Sequence, residues 1–448
     1  AVELEKGIFN VNSRGSNAII TKSTKAAPIT VKGSTFSVTG YNSNAINNLG
    51  DGDVSIDQDM YASGRNTTFN LGKSADGTTT TATQYSNGIY TKGIGKLTVD
   101  HSTFNIAGTD DGRNNGIFID PSANGTIYSV NNSTFSVESG AHSNGIRMEA
   151  TQNLTVENSS FTTKGNYNNG IYANSTGKDI KVKTTDFNVA DGTGSNAIYV
   201  KDGVLTLEGT SSANKNNMTV KGTKNNGIYL VNGGTGNATI KNMKIDVETP
   251  GTDEAGNNGI YISNGRTIAE ISDTNINVKG KQDAKGKWVN NNIGILVGDD
   301  EPTGTTTPPT AASIAKIERT KIDVKQTDAN LDKNTDKTGT GIYMYNGNVT
   351  LGEETVLTGD SNDILINVRN RDHDNTLKFK AGTGMGTQVK LEATGNDNIG
   401  INIEGGHSYH SHNTSLAIEN TSTNDGFSID FVGKNNVGIK NNLFAKTL

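Results

Sequence analysis

The sequence predicts an all-β chain, a right-handed parallel β-helix with three strands per coil, as a single domain over residues 1–448. Three observations carry this. A phrase recurs: Asn-(Gly/Ala)-Ile-Tyr, a polar stretch, an alternating strand, then Ser-Thr-Phe-x-Val. Its isoleucines step by 28, 29, 25, 27, 30 and 32 residues from Ile89 to Ile260, the period of a solenoid. The short strands alternate with period 2, while no stretch keeps a helical period of 3.6.

The coil from Ser86 to Gly108 shows the elements in order. In the first strand Ile89 and Thr91 share a face; in the second, Leu97 and Val99; in the third, Phe104 and Ile106. Each has one buried face, and Gly/Asn turns separate them. The anchoring isoleucines run from Ile19 through Ile46, Ile117, Ile146, Ile171, Ile198 and Ile228 to Ile295 and Ile342, with weaker copies at Ile366, Ile401 and Ile439. Stacked about 4.8 Å apart, about 13 coils would make a rod on the order of 60 Å long. A propeller blade needs four antiparallel strands and about 40 residues, so it ranks second.

Stacking turns repeats into columns. Phe36, Phe69, Phe104, Phe135, Phe161 and Phe187 should fill one interior column, followed by Met218, Ile245, Ile276 and Ile322. A second column is Asn17, Asn44, Asn87, Asn115, Asn144, Asn169, Asn196, Asn226 and Asn258. Asn suits left-handed turns, and stacked amides can hydrogen-bond between coils.

Composition removes several functions. No Cys among 448 residues excludes disulfides, cysteine nucleophiles and thiolate metal sites. A net charge of −6 without a long basic run argues against nucleic acid as a partner. The hydrophobic fraction, 32%, is too low for a large spherical core. No apolar run approaches the roughly 20 residues of a membrane helix. The start at Ala1 fits a mature end after signal cleavage or an expression boundary.

The repeated NGIY…LTV…STFNV coil, the Asn ladder, the missing Cys and the richness in Gly, Thr and Asn resemble the passenger of a bacterial autotransporter. The similarity is to the adhesin type, with its pectin-lyase-like β-helix. It implies export, display at the cell surface and outer membrane, and a role in virulence. Membrane attachment would come only through a translocator β-barrel, and nothing after Phe427 reads as its strands. The resemblance implies adhesion to host glycans or extracellular-matrix proteins, or self-association. An extracellular polysaccharide lyase or glycoside hydrolase is the alternative, and a spacer for a distal head the third reading.

Glycoside hydrolysis needs two carboxylates at a set separation, and Asp120 and Glu149 occupy equivalent outward positions on successive coils. Lys92, Asn174 and Lys201 share that column, which then reads as a mixed solvated face. The paired acids Asp110-Asp111 and Asp299-Asp300 fall in loops, and arginines suited to a lyase base are scattered. Gly359-Asp360-Ser361-Asn362 resembles a serine-protease nucleophile only superficially, with no domain to hold a triad. His407, His410 and His412 form a polar loop, and Asp51, Asp53, Asp57 and Asp59 lack EF-hand spacing. The expectation is no enzyme, no metal and no cofactor.

The residue between the two inward positions of each first strand must face outward. That column reads Tyr90, Phe118, Arg147, Tyr172, Tyr199, Tyr229, Tyr261, Leu296 and Tyr343. An aromatic strip at coil spacing is a platform for sugar rings or a partner, with Lys92, Asp120, Glu149, Asn174 and Lys201 beside it for hydroxyls. The other external feature is long loops at about 279–292, 299–312 and 325–340, the first holding Trp288, the sole tryptophan, as a binding anchor.

Overall fold

The computed structural model describes residues 2–442 apart from 23, 25–26, 61–63, 74–82, 109–110, 126, 139, 232–233, 250–255, 264, 283–287, 290, 300–311, 326–338, 371–373, 384–386, 406–413 and 420–426. Described residues contain strands and no helix, so none is long and apolar enough to cross a membrane. Contacts cluster into two compact units, Ala1–Leu207 with Gly234–Gly236, and Glu208–Gly233 with Asn237–Leu448.

In the N-terminal unit, each strand pairs in parallel with its counterpart in the next coil. First strands Asn87–Thr91, Asn115–Ile119 and Asn144–Met148 join Asn to Asn and Ile to Ile. Second strands Leu97–Asp100, Tyr128–Asn131 and Leu154–Glu157 do the same, as do third strands Ser102–Ile106, Thr134–Val137 and Ser160–Thr163. The predicted parallel β-solenoid is therefore the fold. The later unit repeats it, with Asn226–Leu230, Asn258–Ile262, Ile293–Val297 and Thr340–Met344 in register. The weak copies at Ile366, Ile401 and Ile439 also hold register.

The phenylalanine column is interior and tight. From Phe36 to Phe187 the rings stack at centroid distances of 4.5–5.2 Å, with planes within 12° of parallel. Phe9 extends the stack by one half-buried ring, 4.8 Å from Phe36. In the later unit Met218, Ile245, Ile276 and Ile322 pair as expected, and Leu357, Leu391 and Ile429 continue the column.

The asparagine ladder forms, by a different geometry than expected. Each Asn from Asn44 to Asn196 donates its Nδ2 to the Oδ1 of the ladder Asn one coil before, at 2.8–2.9 Å. Asn258 does the same to Asn226. The ladder residues begin strands and are not left-handed. The left-handed residue sits two positions earlier: Asn42, Tyr85, Arg113, His142, Tyr167 and Lys224 have φ between 46° and 60°. Between the two lies a buried Ser or Asn whose side chain accepts the equivalent backbone N–H of the preceding coil, as Asn114 does for Ser86 and Ser143 for Asn114. The corner before the third strand repeats the scheme: His101, Asn132, Asn158 and Thr184 are left-handed. The hydroxyls of Ser102, Ser133, Ser159 and Thr185 follow them and donate to carbonyls two residues back. Side chains of the turns thus satisfy backbone groups buried at these corners.

Two further expectations change. Asn169–Lys183 and Asn196–Glu208 each fuse a first and second strand into one, because Gly177 and Gly203, at φ 67° and 115°, bend the chain without ending the ladder. The segment at 279–292 is not wholly loop: Lys281–Gln282 and Trp288–Val289 pair antiparallel. Residues 300–311 and 326–338 of the other two long loops lie outside the described residues, as do His407, His410 and His412.

Candidate functional site

Strand alternation sets the outward column as predicted. In the N-terminal unit it runs Asn47, Tyr90, Phe118, Arg147 and Tyr172 in direct register. Its aromatic rings are half-buried, not bare. Tyr90 meets Phe118 edge to face at 5.4 Å, and Tyr172 and Tyr199 stack at 5.2 Å. The Arg147 guanidinium fills the gap, 4.9 Å from the Phe118 ring centre and 5.6 Å from that of Tyr172. In the later unit Tyr229 and Tyr261 stack at 4.5 Å, and Tyr343 lies against Tyr345. Leu296 is the exception in the column, buried to 8% exposure.

The neighbouring acids are already engaged. The Tyr90 hydroxyl donates to Asp120 Oδ2 (2.6 Å), and Ser122 donates its N–H and hydroxyl to Asp120 Oδ1. Burial opposes the Asp120 charge, but these bonds and the Lys92 ammonium outweigh it and hold the carboxyl below its ordinary range. Glu149 accepts from Arg147 Nε at 2.8 Å. The two carboxylates stand on successive coils, each bound to its own donor, rather than as a catalytic pair. Lys92 and Lys201 are exposed and Asn174 is half-buried in the same column. In the later unit Tyr261 and Ser263 both donate to Asp299. Burial, then the neighbouring carboxylates, push Tyr90 and Tyr261 upward. Both phenols therefore stay protonated and act as hydrogen-bond donors at neutral pH.

Beside the column the N-terminal unit holds a groove of about 480 Å³. Tyr90, Phe118 and Arg147 line it with Tyr85, Arg113 and the amides of Asn17, Asn44, Asn47, Asn87 and Asn115. Asn17 Oδ1 accepts from both Asn44 and Asn47, so the amides are held in fixed orientation. Aromatic edges with oriented amides are what a sugar ring uses: apolar C–H faces against rings, hydroxyls against amides. Tyr85 and Arg113 escaped the sequence reading because they sit at the corner, outside strand alternation. Trp288 lies in the short antiparallel pair, away in sequence from the groove-lining residues.

The aspartates of residues 51–59 do not converge. Asp53 accepts from the Lys96 N–H, Asp57 from the Gln58 N–H, and buried Asp59 pairs with Lys6 at 3.0 Å. Asp57, Asp100 and His101 do come together, with His101 Nδ1 3.0 Å from Asp100, as an imidazole–carboxylate cluster.

No protein-family model matches the chain, and no curated protein matches it. Two solved structures are similar. A PL6 family alginate lyase, AlyGC, is 11% identical over 96% of this chain and 75% of that one, with a TM-score of 0.20. An arginine mutant of the same lyase is 12% identical over 96% and 77%, with a TM-score of 0.16. Both are alginate lyases, and the expectation that the chain is not an enzyme is withdrawn on that finding.

Proposed function

We propose that this chain is a carbohydrate-active β-solenoid that takes a polysaccharide into the groove of its N-terminal unit. The groove itself carries the reading: Tyr90 and Phe118 offer ring surface, and the oriented amides of Asn17, Asn47 and Asn115 offer hydroxyl partners. Two fates of the bound polymer are distinguished by experiment. In the lyase reading, a uronate loses the proton next to its carboxylate to a base. The glycosidic oxygen leaves, taking a proton from an acid, and an unsaturated sugar end remains without consumption of water. Arg113 and Arg147 line the groove and would face the uronate carboxylate. In the adhesin reading, the polymer is a host glycan held intact by a surface-displayed passenger, with matrix proteins or a second copy as further partners.

The test uses alginate, other uronans and neutral glucans. Binding is read by retardation in affinity gels, and cleavage by the ultraviolet absorbance of unsaturated ends. Retardation with new absorbance supports the lyase; retardation alone supports retention. Tyr90→Ser with Phe118→Ser is expected to weaken binding at least about tenfold while leaving the β-sheet circular dichroism in place. Undiminished binding by that double variant, or no binding across the panel, removes the groove from consideration.

A further inference from the structure

Resting on the groove reading, we infer that Tyr85 and Arg113, on the left-handed corner before the first strand, form the second wall of the groove. They select a uronate-bearing chain over a neutral one. Tyr85, Arg113, His142 and Tyr167 hold φ of 54°, 46°, 60° and 55° on four consecutive coils. An L side chain with a Cβ is strained there, whereas Gly escapes the strain and Asn tolerates it. Elsewhere the same corner carries Gly15, Asn42 and Gly194 in this unit, and Lys224, Asn362, Asp397 and Asn435 in the later one. At Tyr85 and Arg113 a large side chain both occupies the costly position and lines the groove.

Packing does not require them. The corner is held by the next residue in each coil, the buried Ser86, Asn114, Ser143 and Asn168, through backbone N–H bonds one coil back. Tyr85 and Tyr167 remain 37% and 52% exposed. What the corner side chains do make is an external stack. Arg14 lies 4.9 Å over Tyr41, Tyr41 meets Tyr85 edge to face at 5.6 Å, and Arg113 lies 5.5 Å over Tyr85. Arg113 Nε donates to Asp111 Oδ1 at 2.9 Å, which fixes the guanidinium plane. Tyr85 and Arg113 line the groove together with Tyr90 and Phe118. Backbone strain retained where it adds no packing is the mark of a binding wall. A planar guanidinium over a ring suits a sugar ring with a carboxylate at its edge.

The test replaces each corner residue by the one its own column tolerates: Tyr85→Asn and Arg113→Asn, after Asn42. Affinity for alginate and for a neutral glucan is measured by calorimetry, and the thermal midpoint by scanning. Tyr85→Asn is expected to weaken alginate binding about tenfold. Arg113→Asn should lose the preference for alginate over glucan. In both, the thermal midpoint should be unchanged or raised, because strain is relieved. A lowered midpoint, or unchanged affinity and preference while Tyr90→Ser with Phe118→Ser abolishes binding, overturns the corner wall and leaves the groove standing. Failure of the unaltered chain to bind alginate or glucan overturns both.

Discussion

Phe135→Ala is expected to cost about 3–5 kcal/mol of stability, the range for truncating a large core side chain. Phe135 is fully buried and sandwiched, 4.5 Å from Phe104 and 4.6 Å from Phe161, with planes within 4°. Truncation removes the transferred apolar area and two ring contacts together. Collapse into the space is limited, because backbone ladders on both neighbouring coils fix the strand spacing. The ring also fills a space a larger neighbour would need: a Cβ on Gly116 would come within 3.2 Å of it. Phe135→Leu keeps most of the volume and should cost markedly less. Urea unfolding followed by circular dichroism checks both, and a Phe135→Ala midpoint near that of the unaltered chain would place the residue outside the column.

Asp363→Asn is expected to stabilise the chain by about 1–3 kcal/mol at neutral pH, the scale of one unsatisfied buried polar group. Asp363 occupies the corner column that Asn225, Asn257, Asn398 and Asn436 fill in other coils of the later unit. There the Asn side chains also donate: Asn225 to Lys221 O, Asn257 to Glu248 O, Asn436 to Gly395 O. An ionised carboxylate cannot donate, and the protonated acid has one O–H where the amide has two N–H. Asp363 is fully buried, accepts the Asp360 N–H at Oδ2, and leaves Oδ1 without a partner. Burial, reinforced by the Asp360 carboxylate, pushes its pKa well above the ordinary carboxyl range. The folded chain then keeps a proton the unfolded chain has released. Stability therefore falls as pH rises from the unfolded carboxyl value, about 4, toward the folded one. The gain from Asn should be small in acid and grow to its full size above the folded pKa. Urea midpoints at acidic and neutral pH measure it; a pH-independent difference would mean that Asp363 is not held protonated.

Much of this architecture was legible because repetition converts a sequence period into a spatial column. Phe104, Phe135 and Phe161 announce themselves by the same Ser-Thr/Ser-Phe setting, and so land in register. Phe9 lacked that setting, in Lys6-Gly7-Ile8-Phe9, and was missed. The Asn ladder was legible as a column but not in its conformation. The left-handed corner two residues earlier takes Tyr, Arg, His, Lys, Asn or Gly, and so has no residue signature. Gly15, Asn42 and Gly194 at that offset were the available signal. The outward face of Tyr90 and Phe118 followed from alternation alone. The wall formed by Tyr85 and Arg113 did not, since a corner obeys no alternation. That Asp120 and Glu149 would each be claimed by a separate donor depends on side-chain rotamers, which the repeat does not encode.

The Asn ladder bears on how the chain acquires its fold. Its bonds join residues 27, 43, 28, 29, 25 and 27 positions apart in the N-terminal unit. These loop lengths do not grow as coils are added. The entropy of closing a loop is therefore met once per coil at similar cost, and relative contact order falls with every repeat. The slow event is the first pairing of two coils, after which each further coil docks on an existing template. Within each unit folding should behave as nucleation followed by growth, free to begin at any adjacent pair. A weakened rung in the middle would leave two growing segments rather than an unfolded chain.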